Sequence, residues 1–200
     1  MAEAESLHVG PLPVGSPQAK SSGWFGMMTL IVTEASLFLY LLFSYFYFAI
    51  WDTHGFLPAR RPTFELSAPD TVVLLLSSVL VWWGERGARA GRRRQLAFGL
   101  AGGLVLGGIF VGVQLVEWAE KPLHFDTSPY SALYFTITGL HLAHVVIGMM
   151  VLLALLVWSL LGMFDARRYA PVSIGAIYWH FVDAVWLAVF FTLYITPYLA

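Results

Sequence analysis

The chain has 200 residues, of which 58% are hydrophobic, 16% aromatic and only 12% charged, and its mean hydropathy is +0.73. A soluble domain is charged at about a quarter of its positions, so the composition excludes an ordinary soluble enzyme and points to an integral membrane protein. A net charge of -1 suggests no nucleic-acid partner, and the absence of cysteine excludes disulfides, thiolate metal sites and a cysteine nucleophile.

Residues 1–23, MAEAESLHVGPLPVGSPQAKSSG, are rich in Gly, Pro and Ser and lack the basic and apolar regions of a secretory signal. They are expected to form a mobile tail ahead of a transmembrane domain over 24–200. A span needs about 20 mostly apolar residues, and five segments qualify: Trp24–Ile50, Thr71–Gly87, Leu96–Trp118, Ser131–Leu161 and Ile174–Tyr198. The first is interrupted only by Glu34 and closes on the aromatic run FSYFYFAIW, which suits an interfacial belt. The third carries Gly99, Gly103 and Gly107 at four-residue spacing, a ridge on which another helix can pack closely. The fourth is longer than a bilayer needs, so it is expected to tilt or to extend beyond the hydrocarbon. The fold class is therefore all-α, a polytopic bundle of five transmembrane helices.

Orientation follows from the basic residues. With the N-terminus cytoplasmic, Lys20, Arg86, Arg89, Arg92, Arg93, Arg94, Arg167 and Arg168 fall inside, and only Arg60, Arg61 and Lys121 outside. That bias places the C-terminus outside.

Ionisable residues inside spans cost roughly 3 kcal/mol each on insertion scales, so they are expected to face protein and to have partners. They are Glu34 in the first span, His141 and His144 in the fourth, and His180 and Asp183 in the fifth, while Gln114 and Glu117 close the end of the third. At about 1.5 Å per residue, Glu34 lies near the midplane, His141 at a similar depth, and His144, His180 and Asp183 within about a turn or two of it. Glu34 is expected to share one buried polar network with His144, His180 and Asp183. The spacing His141-x-x-His144, with His180, is compatible with imidazole ligation of a metal, but histidines also bond across helices as packing devices. No metal site is assigned. Asp183 is read as a partner that orients a neighbour. Glu34 is read either as a structural acid or as a proton-handling or gating group.

Four of these segments together resemble subunit III of the haem-copper oxidases. YWHFVDAVW, Tyr178–Trp186, is similar to the family's last helix, and GLHLAHVVIG, Gly139–Gly148, to its Gly-Leu-His helix, with the first histidine displaced from the usual position. TEASLFLYLLFSYFY resembles its Ser-Glu helix, with Thr33 in place of serine, and GIFVGVQLVEW the helix ending in Gln-x-x-Glu-aromatic. The likeness runs from about Gly23 to the C-terminus and is to the five-helix form, which lacks the first two helices of the seven-helix form.

The resemblance implies an accessory subunit of a proton-pumping cytochrome c oxidase that reduces O2 to water. It implies no catalytic residue, metal or redox cofactor in this chain. Haem and copper would reside in subunits I and II, with direct packing against subunit I and small subunits as further partners. Bound phospholipid is implied in a cleft that is here open or filled by another subunit. Glu34 matches the family's intramembrane glutamate, associated with proton uptake and with stability of the catalytic subunit in turnover. His180 and Asp183 would tie the last helix to its neighbours. The implied location is a bacterial cytoplasmic membrane. Subunit III of a quinol oxidase is the alternative, a helper of nitric oxide reductase a more distant one, and a small proton-coupled transporter the alternative of another class.

Overall fold

A computed structural model describes residues 22–51, 56, 64–121, 128–164 and 168–199. Five helices among them are long and apolar enough to cross a membrane. They are α1 (Ser22–Trp51), α2 (Ser67–Arg89), α3 (Arg93–Glu120), α4 (Pro129–Leu160) and α5 (Ala170–Phe190). The last continues through a π-helical turn at Phe191–Ile195 into a short helix, α6 (Thr196–Leu199). The expected tail lies outside the described residues except for Ser22 and Gly23, which open α1. The loop with Arg60 and Arg61 also lies outside them.

Each helix begins a few residues before the span read from the sequence, because backbone bonding continues where hydropathy falls, and α4 ends one residue short of it, at Leu160. Two reverse turns are tight enough to need a left-handed residue. Gly91 (φ 70°) follows α2 and Gly162 (φ 77°) follows α4. In each turn the next N–H closes back onto the helix, Arg92 onto the Gly87 carbonyl at 2.8 Å and Met163 onto Trp158 at 3.0 Å. The start of α4 is held by a reciprocal cap. Ser128 Oγ accepts the Ser131 N–H at 3.1 Å, and Ser131 Oγ accepts the Ser128 N–H at 2.9 Å.

The π turn has a local cause. Pro197 has no N–H to give the Leu193 carbonyl, and its ring would crowd an α-helical turn. The chain widens instead, and the Thr196 N–H reaches the Phe191 carbonyl five residues back. The re-registered turn buries Thr192, Leu193 and Tyr194.

The helices α2, α3, α4 and α5 enclose the core, and α5 also touches α1. Trp179 and Trp186 of α5 are fully buried at its centre. Trp179 fits a slot between Gly107 of α3 and Gly148 of α4, where an added Cβ would stand 2.8 Å from the indole on either side. The α2–α3 crossing is closer still, with Gly99 set against the Gly84 backbone. The glycine ridge of α3 thus meets backbone at Gly99 and side chains at Gly103 and Gly107. The most peripheral helix is α1. Only Phe38 and Tyr45 of its residues are buried, and Leu39, Tyr40, Phe43, Ile50 and Trp51 face outward.

Candidate functional site

The buried polar residues fall into three groups at different places in the bundle. The first joins α1 to α4. Glu34 Oε2 lies 3.0 Å from His144 Nε2, and His144 Nδ1 lies 2.7 Å from the Leu140 carbonyl oxygen one turn back on its own helix. A carbonyl only accepts, so Nδ1 carries the hydrogen and donates. The contact between Nε2 and Oε2 then needs one proton of its own. Either the carboxylic acid donates to a neutral imidazole or an imidazolium donates to a carboxylate. In either arrangement the contact is a single hydrogen bond that joins α1 to α4. Phe38 packs its ring against both His144 and His141, at centroid separations of 5.1 and 6.3 Å. The Glu34 side chain is 28% exposed, so the pair sits at an edge of the bundle, open on one side.

The second group runs along the seam between α2 and α5. The Ser78 hydroxyl contacts His180 Nδ1 at 2.5 Å, and Asp183 lies beside the same hydroxyl without completing a bond. The Trp179 indole N–H donates to Ser77 Oγ at 3.0 Å and that of Trp186 to Thr71 Oγ1 at 2.9 Å. At the arginine-rich end, Glu85 Oε1 accepts from Ser173 and from Arg89, both at 2.6 Å. Thr71, Ser78 and Glu85 recur every seven residues and so share one face of α2. The sequence reading passed over this repeat; its spacing was the available signal.

The third group closes the opposite end. Glu117 Oε1 accepts from Tyr194 at 2.5 Å and from Lys121 at 2.7 Å, with Tyr134 at 3.4 Å. Lys121 also donates to the Tyr134 hydroxyl at 2.6 Å and lies over that ring, 3.9 Å from its centroid. Burial pushes the Lys121 ammonium below the usual lysine range, against the pull of Glu117. Gln114 lies beside Tyr134 without a bond inside hydrogen-bonding limits, and Asp70 of α2 lies within electrostatic reach of Glu117. Lys121 entered the sequence reading only as an outside charge, and Tyr134 and Tyr194 had no place in it. Tyr194 comes into position only through the π turn.

The single network expected from the sequence is thus divided. Glu34 and His144 are joined to each other. His180 and Asp183 lie against α2, and among the described residues no hydrogen bond links the two pairs; the chemistry of each is set by the helix its face meets. Gln114 and Glu117 belong to a separate end. His141 joins none of these. It is 1% exposed, stacks on Trp186 at 4.9 Å, meets the edge of Phe110, and has no hydrogen-bond partner at either ring nitrogen. Among the described residues no three His, Asp or Glu side chains converge as a metal site.

One consequence can be tested directly. Glu34→Ala is expected to cost about 1–3 kcal/mol by leaving His144 Nε2 unpaired, seen as a lower unfolding temperature of the chain. Glu34→Gln is expected to stay close to wild type, because its amide N–H can donate to Nε2. Equal loss in both variants would remove the hydrogen-bond account.

These features define a polytopic helical membrane protein whose buried polar side chains mainly join one helix to another. The model of the family "Cytochrome c oxidase subunit III" matches residues 17–198. Cytochrome c oxidase subunit 3 of Scyliorhinus canicula is 30% identical over 186 residues, 90% of this chain and 71% of that protein. The proteins of the same name from Marchantia polymorpha (30% over 179 residues, 85% and 67%) and Danio rerio (30% over 186 residues, 90% and 71%) are similar to a like degree. The chain belongs to the cytochrome c oxidase subunit III family.

Proposed function

We propose that the chain is the non-catalytic subunit III of a proton-pumping cytochrome c oxidase that reduces O2 to water. Haem and copper reside in partner subunits, and this chain packs directly against subunit I, with subunit II and small subunits in the same complex. Family membership over almost the whole chain supports the complex, and the Glu34–His144 pair carries the reading of its part in it. The pair is joined by a hydrogen bond, sits at an open edge of the bundle, and lies about 18 Å along α1 at 1.5 Å per residue. A titratable pair inside a span but open on one side is what support of proton uptake by a neighbouring subunit requires. The excess of arginine at one end supports an orientation with the N-terminus cytoplasmic and the C-terminus outside. A bacterial cytoplasmic membrane is the proposed location. The apolar pocket lined by Met27, Val151, Leu155, Trp158 and Ile174 is the proposed seat of a phospholipid chain.

The test is purification in mild detergent through a tag on this chain, with a visible difference spectrum. Haem bands with co-purifying larger subunits are expected. Turnover with reduced cytochrome c, and not with quinol, separates the proposed enzyme from a quinol oxidase. A colourless, isolated chain that moves a solute in proteoliposomes would replace the proposal with the transporter reading. In the intact oxidase, Glu34→Gln is expected to leave subunit composition unchanged and to slow proton uptake or shorten activity during sustained turnover. Wild-type values for both would confine Glu34 to a structural role.

A further inference from the structure

The end of the bundle opposite Lys121 gathers guanidinium groups that most of the bonding above leaves unused. Five arginines, Arg86, Arg89, Arg92, Arg93 and Arg94, fall within nine residues that include no acidic residue. They occupy the last turn of α2, the tight turn at Gly91 and the first turn of α3. Arg89 is held by Glu85, and Arg86 lies 3.9 Å over the Trp82 ring. Arg92 reaches Gln95 at 3.5 Å, and Arg93 lies against Gly162 at the end of α4. Among the described residues no carboxylate pairs with Arg92, Arg93 or Arg94, and all three are exposed.

Their placement works against the helix they begin. No side chain caps the start of α3 and no acidic residue stands in its first turn. A helix N-terminus carries about half a positive charge, so each cation there is unfavourable by about 0.3–1 kcal/mol. Topology alone needs arginines somewhere at this end of the spans, not on the start of a helix. An anion removes the conflict, since guanidinium forks and backbone N–H groups both bind phosphate. The level of the site selects the kind of anion. Trp82, Trp83 and Trp158 are exposed at this end, as in an interfacial belt, and Phe98 and Leu160 present apolar surface beside them. A phosphate at that level is a lipid headgroup.

We propose that the α2–α3 turn binds the phosphate of an anionic phospholipid through Arg92, Arg93 and Arg94 and the first N–H groups of α3. The headgroup supplies the negative charge that α3 lacks, and its acyl chains lie along the exposed apolar faces of α2 and α3. The site does not depend on which electron donor the complex uses.

The test uses the intact membrane complex carrying this chain. Wild type, an Arg92→Gln/Arg93→Gln/Arg94→Gln variant and the corresponding three-lysine variant are placed in nanodiscs of phosphatidylcholine, with or without phosphatidylglycerol. Native mass spectrometry counts retained lipids, and thermal release of the chain is followed. Wild type is expected to retain at least one more phosphatidylglycerol than the glutamine variant and to be stabilised by that lipid. The apparent affinity is expected to fall about tenfold or more in the glutamine variant and to fall less in the lysine variant, which keeps the charge and loses the fork. If the glutamine variant fails to assemble, the lysine variant still has to show weaker retention. Equal phosphatidylglycerol retention in wild type and the assembled variants overturns the proposal. So does full stabilisation of wild type by inorganic phosphate in phosphatidylcholine alone, which would assign the turn to the free ion.

Discussion

Gly99→Leu is expected to prevent accumulation of the folded chain, and Gly99→Ala to weaken it severely. A Cβ at Gly99 would stand 2.5 Å from the Gly84 Cα and 2.6 Å from the Leu80 carbonyl oxygen. Both obstacles are backbone of α2, so no rotamer change relieves the clash and the two helices must separate. Overpacking costs about 1–3 kcal/mol in ordinary cores and more where nothing yields; here the alanine variant is expected at or above the top of that range. Separation would also draw Ser77 and Ser78 away from Trp179 and His180 on α5. Gly112 provides the control. It lies on the same helix with nothing within 4 Å of an added Cβ. Gly112→Ala should therefore be neutral, or stabilising by up to about 1 kcal/mol through helix propensity. The amount of chain in membranes and its temperature of release from the complex decide the matter. Similar behaviour of the two alanine variants would show that the α2–α3 crossing does not depend on glycine.

Glu117→Ala is expected to be the most damaging polar substitution. It leaves the Lys121 ammonium, 19% exposed, without its carboxylate, and leaves the Tyr134 and Tyr194 hydroxyls without their shared acceptor. Removing one partner of a buried pair costs about 3–5 kcal/mol because the other charge stays behind. The cost at this partly solvated end is expected toward the lower figure. Lys121→Met should be milder, since two phenols still donate to Glu117. The double variant, Glu117→Ala with Lys121→Met, should recover part of the loss, because no uncompensated charge is left. Thermal release measured over this cycle gives the coupling directly. Additive effects would show that the carboxylate and the ammonium act independently.

Much of the bundle was legible without coordinates because its strongest signal is local. Five apolar runs of sufficient length and the connections between them are visible in composition alone. Residues such as Glu34, His144, His180 and Asp183 stand out because the cost of placing them in hydrocarbon demands a partner. Boundaries were less legible. α2 begins at Ser67 and not at Thr71, and α3 at Arg93 and not at Leu96, because a helix continues through polar residues while its backbone bonds can be made. The break in the last helix was also missed, although Pro197 four residues after Leu193 was its cause and stood in the sequence.

The sequence by itself determined the class of the protein, the number of its spans, and which side chains must be satisfied inside them. Depth alone made Glu34, His144, His180 and Asp183 equally eligible to meet. Only the tertiary structure decided the pairs. Glu34 meets His144 because α1 rests against α4, and His180 meets Ser78 because that face of α5 turns to α2. Tyr194 meets Glu117 because a five-residue π turn rotates it inward. Depth follows from counting residues along one helix. Partnership depends on the rotation and packing of at least two, which are set by contacts such as the close approach of Gly99 to Gly84 and the Trp179 slot between Gly107 and Gly148.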